Sequence, residues 1–105
     1  YINVVSGIRI DEPAIDLGIA LAIASNYKDI PLPKDLVAIG EIGLTGEIRS
    51  VNSIEKRVKE AEKMGFKTCI LPENARKQIK SKLNINMIGV KEIKEALKVC
   101  GILER

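Results

Sequence analysis

Histidine and tryptophan are absent from this chain, and aromatic residues make up only 3% of it. Without imidazole, the side chain that most often moves protons near neutral pH is missing. Acid–base chemistry would fall to carboxylates and lysines. The two cysteines, Cys69 and Cys100, stand 31 positions apart in apolar surroundings and outside any CxxC pair. Two thiolates alone leave a tetrahedral ion half-ligated, which argues against a zinc site. They read as reduced core cysteines of a cytoplasmic protein. No run approaches the ~20 apolar residues of a membrane span. No basic stretch leading into an apolar one marks a signal peptide. Neither GxxxxGK[ST] nor a GxGxxG that opens a helix after a strand is present, so the chain holds no recognisable phosphate loop. With only Tyr1, Tyr27 and Phe66 as aromatics, base stacking in the manner of single-strand binders is not expected.

What is present describes one globular domain. The 105 residues are 46% apolar and 30% charged, enough for a core without staples and too few for two domains. The chain starts at Tyr1 rather than Met, on an apolar alternating run, which suggests a fragment of something longer. Charge is uneven. Residues 1–52 carry 4 basic and 7 acidic side chains, and residues 53–105 carry 13 basic and 7 acidic. Such polarity suits an anionic partner, although lysine is abundant throughout.

Residues 1–10, YINVVSGIRI, are β-branched-rich and predict a strand, with a bulge at Ser6-Gly7. Asp11-Glu12-Pro13 predicts a helix start: Asp11 or Glu12 can accept orphan N–H bonds, and Pro13 suits the first helical position. The helix that follows, about 14–26, is apolar almost all round and predicts a buried central helix. Pro31 and Pro33 mark a loop over 27–35. LVAIGEI and GEIRSV, joined through Thr45-Gly46, predict a strand pair with a tight turn. Asn52 or Ser53 caps a helix over 54–64, with Ile54, Val58, Ala61 and Met64 inward and Gly65 closing it. A strand over 67–71, a helix over 75–83, a strand over 85–90 and a helix over 92–99 complete an α+β or α/β order.

Two groups of side chains stand out. Asp11, Glu12 and Asp16 gather at the first helix start, where capping and dipole compensation explain them. Two readings of Asp16 stay open: exposed at the helix start, or buried and paired with a residue such as Arg9 or Arg49. The second group is cationic. Arg49 and Arg57 lie on or just after the hairpin, and Arg76, Lys77, Lys80 and Lys82 follow one another without an acid between them. Phosphate contacts need such cations, while a solvated helix face would look the same.

The wording of the chain resembles a known family. GEIGLTGEIRSV, EAEKMGFKTCILPENARK and INMIGVKEIKEAL are similar to successive segments of the proteolytic domain of the Lon protease family. Within that group, NVVSGIRIDEPAIDLGIALAIAS resembles the C-terminal Lon-like domain of the RadA (Sms) family of bacterial DNA-repair proteins. Ser6 stands where glycine is usual there, and Gly18 where alanine is usual. The ComM-like, magnesium-chelatase-related family shares a similar hairpin.

The resemblance implies the Lon proteolytic-domain fold, ribosomal protein S5 domain 2-like. This is an α+β, α/β sandwich-like domain with a small mixed sheet and a buried central helix, spanning 1–105. In Lon the nucleophilic serine and its lysine base fall at positions matching Ala14 and Glu55. A methyl group cannot attack a carbonyl, and a carboxylate does not replace that lysine. The resemblance therefore implies a domain that is not a protease, with no metal or cofactor of its own. It also implies a parent ATPase whose other domains hold ATP, Mg and Zn. That parent assembles into a hexameric ring on single-stranded or branched DNA, with no membrane partner.

Overall fold

A strand covered on both faces reads as an unbroken apolar run, and Thr68–Pro72 is such a run, buried at its last four positions. It sits at the centre of the fold. A computed structural model of the chain describes residues 4–5, 8–9 and 12–104. Its elements are β1 (Val4–Val5), β2 (Ile8–Arg9), a 3-10 turn at Pro13–Ile15, α1 (Asp16–Lys28), β3 (Leu36–Ala38), β4 (Glu41–Ile42), β5 (Ile48–Arg49), α2 (Ile54–Lys63), β6 (Thr68–Pro72), α3 (Glu73–Gln78), β7 (Asn86–Val90) and α4 (Ile93–Val99).

Strands β3, β6 and β7 form a parallel sheet in that order, with Val37 opposite Cys69 and Cys69 opposite Met87. Side chains alternate across β6. Cys69 and Leu71 join a core with Val58 and Ala61 of α2, and Ile70 joins one with Leu17 and Leu21 of α1 and Ala96 of α4. Helices α2 and α3 are the crossovers of two successive parallel connections that step the same way across the sheet. Right-handed connections then put both on one face. Ile79, just past α3, accordingly packs with the α2 core. Helices α1 and α4 cover the other face. The chain is thus a mixed α/β domain built on a parallel sheet, and no helix among the described residues is long and apolar enough to cross a membrane.

Several expectations change. The strand expected over 1–10 is described as two short strands, β1 and β2, paired antiparallel. The Ser6-Gly7 bulge and the Asp11 cap lie outside the described residues. The small mixed sheet is instead a parallel sheet with a separate β4–β5 hairpin, with Glu41 opposite Arg49. The hairpin is fastened to the segment between β7 and α4 by an antiparallel bridge between Glu47 and Glu92, flanked by Ile48 N–H to the Lys91 carbonyl (2.8 Å) and Ile93 N–H to the Gly46 carbonyl (2.9 Å).

Helix α1 is not a central, fully buried helix. Leu17 and Leu21 are buried against the sheet, while Ile23 is 65% and Tyr27 84% exposed, because among the described residues the β3–β6–β7 sheet lies on one side of the helix. Met64 does not join the inner stripe of α2. It follows the last helical residue and is 69% exposed. Helix α3 ends at Gln78 rather than near Leu83. The chain turns extended at Ile79, which lets Ile79 and Leu83 both reach the α2 core, and tertiary packing overrides propensity there.

Candidate functional site

The hairpin is built by its turn. Gly46 adopts a left-handed φ of 89°, a conformation that glycine reaches without steric cost. Gly43 N–H bonds to the Glu47 carbonyl (2.8 Å) and Gly46 N–H to the Gly43 carbonyl (3.0 Å), which closes a three-residue loop at Leu44-Thr45-Gly46. The Glu47 carboxylate lies over Gly43, in the space a side chain there would fill. One carboxylate oxygen, Oε1, accepts the Thr45 hydroxyl (2.5 Å) and the Thr45 N–H (3.2 Å). The other, Oε2, accepts Arg49 Nε (3.0 Å) and Nη2 (2.7 Å). These donors, the Thr45 hydroxyl foremost, hold the Glu47 carboxyl down at about 2.

The start of the first helix is fastened to the strand behind it. Gly40 N–H donates to the Ala14 carbonyl (3.0 Å), and Leu17 N–H donates to the Gly40 carbonyl (3.0 Å). Asp16 Oδ2 accepts Ile42 N–H at 3.1 Å. Asp16 thus faces β4 and bridges two elements, and Arg49, one of its expected partners, is engaged with Glu47 instead. Pro13 opens the 3-10 turn, and Glu12 precedes it without making a capping hydrogen bond. The Glu12 carboxylate turns to Arg57 Nη1 instead, at 2.6 Å. Arg57 is held further by the Asn52 carbonyl (3.0 Å to Nε) and by Asn52 Oδ1 (3.3 Å to Nη2). Ser53 occupies the N-cap of α2 in a left-handed conformation and makes no side-chain cap. A charged guanidinium offers Asn52 more than a cap would.

Ala14 is buried and lines a cleft of about 420 Å³ with Glu12, Glu41, Ser50 and Arg57. Glu55 does not line that cleft. Its Oε2 accepts the Ser81 hydroxyl and lies 3.6 Å from Lys59 Nζ, and the Ser81 bond, with Lys59, lowers its carboxyl from the usual range. The Ala14 and Glu55 positions therefore address different surroundings. A second cleft, about 630 Å³, opens at the carboxyl ends of β6 and β7 between Arg49, Ser50, Glu73, Asn74 and Lys91. No group of three or more His, Cys, Asp or Glu side chains that could hold a metal occurs among the described residues.

The cationic candidates divide into two kinds. Each arginine already has a carboxylate: Arg49 with Glu47 (2.7 Å), Arg57 with Glu12 (2.6 Å) and Arg76 with Glu73 (3.0 Å). The Glu73–Arg76 pair is two-pronged (3.0 Å at each prong) and lies flat on Gly89 of β7, where a Cβ would meet the Glu73 carboxylate. The pairing lowers the Glu73 carboxyl and raises Arg76. Lys77, Lys80 and Lys82 are exposed and form no ion pair among the described residues. Only Lys77 is on α3, and Lys80 and Lys82 are on the loop to β7, so the cluster is not one helix face.

Sequence reasoning missed how that loop is held. Glu62 Oε2 of α2 accepts the N–H groups of Asn84 and of Ile85 (3.1 Å), as Glu55 accepts Ser81. The spacing of Glu55 and Glu62, two helical turns, was the available signal.

A model of the family described as "Subunit ChlI of Mg-chelatase" matches residues 1–75. Among curated proteins, the chain is 49% identical over 98 residues to "DNA repair protein RadA" of Streptococcus pneumoniae. That alignment covers 93% of this chain and 23% of the relative. It is 48% identical to the protein of that name from Halalkalibacterium halodurans (94% of this chain, 22% of the relative) and 47% identical to that from Bacillus subtilis (93% and 21%). The chain thus spans less than a quarter of the length of the curated relatives it matches, and its resemblance to RadA proteins runs nearly end to end.

Proposed function

The chain belongs to the family of subunit ChlI of Mg-chelatase, and from that premise, with relatives named for DNA repair, we propose that it is a non-proteolytic scaffold and DNA-contact domain. It has the Lon-like, ribosomal protein S5 domain 2-like fold and serves a RadA-type repair ATPase in recombinational repair and branch migration. The single observation that carries DNA contact is the division among the candidate cations: Lys77, Lys80 and Lys82 are exposed without an ion-pair partner among the described residues, while Arg49, Arg57 and Arg76 are engaged. Lysines placed so are suited to phosphates and read no sequence. The domain contributes to ring assembly of its cytoplasmic parent. ATP, Mg and Zn belong to the parent's other domains. Against proteolysis stand the methyl group of Ala14 and the commitment of Glu55 to Ser81.

In the full-length protein, Lys77→Glu with Lys80→Glu should weaken single-stranded and branched DNA binding at low salt. Unchanged affinity would refute the assignment. An active-site serine probe should leave the domain unlabelled. Labelling that a single Ser→Ala change abolishes would establish a Lon-type peptidase instead. The match to the Mg-chelatase family favours one second reading, a ComM-like domain. Full-length protein that stays monomeric by light scattering would remove ring assembly from either reading.

A further inference from the structure

Helix α2 carries two carboxylates seven residues apart, Glu55 and Glu62, which fall on one stripe of the helix. Each turns one oxygen, Oε2, to the loop between α3 and β7. Glu55 accepts the Ser81 hydroxyl, and Glu62 accepts the backbone N–H of Asn84 and of Ile85 (3.1 Å). The loop so held carries Lys80 and Lys82 on either side of Ser81. Lys59 lies between the two carboxylates on the same stripe, 3.6 Å from Glu55.

We infer that Glu55 and Glu62 are positioning residues that fix the Lys80–Lys82 loop as a preorganised phosphate-binding face. The inference rests on the DNA-contact reading. At the position matching a Lon-type base, the chain has a group whose work is to aim cations rather than to move a proton. A tethered loop loses less conformational freedom when it meets a phosphate backbone than a free one, which raises affinity without adding a contact.

The test uses the full-length protein and a labelled single-stranded oligonucleotide, titrated over a series of salt concentrations. Lys80→Ala with Lys82→Ala should flatten the slope of log K against log salt by about one to two, near 0.7 per lost phosphate contact on a single strand. Glu62→Ala and Ser81→Ala should each weaken binding several-fold. Glu62→Gln, which keeps an acceptor oxygen, should restore most of the loss. Adding Glu62→Ala to the double lysine variant should cost nothing further, since both act through one loop. Faster hydrogen exchange at the Asn84 amide in Glu62→Ala, with the β6 amides still protected, would locate the effect in the loop. If the lysine variant weakens binding while Glu62→Ala and Ser81→Ala bind as wild type, the positioning role is overturned and DNA contact stands. If the lysine variant itself binds normally, the DNA-contact reading falls and takes this inference with it.

Discussion

Removing the Asp16 carboxylate should cost the domain more than a helix cap is worth. Asp16 Oδ2 accepts the N–H of Ile42, a residue on another element, at 3.1 Å in a half-buried setting. A hydrogen bond to a charged acceptor contributes about 1.5–3 kcal/mol, and an N–H left without a partner costs about 1–3 kcal/mol. The first-turn charge adds ~0.5 kcal/mol against the helix dipole. These contributions overlap, since deleting the acceptor is what orphans the donor, so Asp16→Ala should destabilise by about 2–3 kcal/mol. For a domain of this size that lowers the melting temperature by roughly 10 °C. Asp16→Ser separates the two roles. Ile15, not Asp16, holds the N-cap position and no side-chain cap is made there, so serine at 16 can bond only within its own turn, and its hydroxyl is too short to replace a carboxylate aimed at β4. A cross-element latch predicts that Asp16→Ser behaves like Asp16→Ala in urea unfolding, with faster exchange at the Ile42 amide. If Asp16→Ser matches wild type while Asp16→Ala does not, a bond within the helix's own first turn is enough and the latch to β4 does not exist. If neither moves stability by more than ~0.5 kcal/mol, the level of an inconsequential surface change, the latch does not exist.

Other outcomes follow from the same geometry. The Glu47 carboxyl, held at about 2 against an ordinary 4.5, stabilises the folded hairpin fully above the ordinary value and loses that contribution as pH falls toward 2. Its carboxyl carbon shift should titrate near 2, and Thr45→Val should bring the midpoint back up. Titration near 4.5 in the wild type would remove the network. Burial pushes the Cys69 thiol up to about 12, and Cys100, half-buried, is raised for the same reason. Iodoacetamide should therefore modify Cys100 slowly and Cys69 only after unfolding, a sequence that peptide mass mapping would follow. Gly46→Ala, at a φ of 89°, should destabilise the hairpin by about 1 kcal/mol in urea unfolding.

Legibility in the sequence followed the range of the interaction. The β4–β5 turn at Gly46, the inward Val58 and Ala61 of α2, and the stop at Gly65 (φ 98°) rest on neighbours in the chain, and local pattern predicts all of them. The end of α3 was not legible, because the loop after it follows carboxylates on α2 rather than its own propensity. Helix α1 misled for another reason. Its residues are apolar all round, and an apolar face reads the same whether or not an element of the chain lies against it. Cations were visible as a string, but ion pairing decides which are available. Glu12 with Arg57 joins residues far apart in the chain, and no spacing announces it. The pattern leaves two readings of Asp16 open, because its partner is a backbone N–H, which leaves no mark on side-chain pattern.

We propose that this domain meets DNA through Lys77, Lys80 and Lys82, which have no ion-pair partner among the described residues, while Arg49, Arg57 and Arg76 stay engaged with carboxylates. Salt titration of DNA binding by the full-length protein tests this directly, with Lys77→Ala, Lys80→Ala and Lys82→Ala combined in one variant and Arg49→Ala, Arg57→Ala and Arg76→Ala in another. The lysine variant should lose affinity and about two units of salt slope, while the arginine variant, once shown to be folded, should keep the wild-type slope. The opposite pattern, or two slopes that both match wild type, would contradict the account.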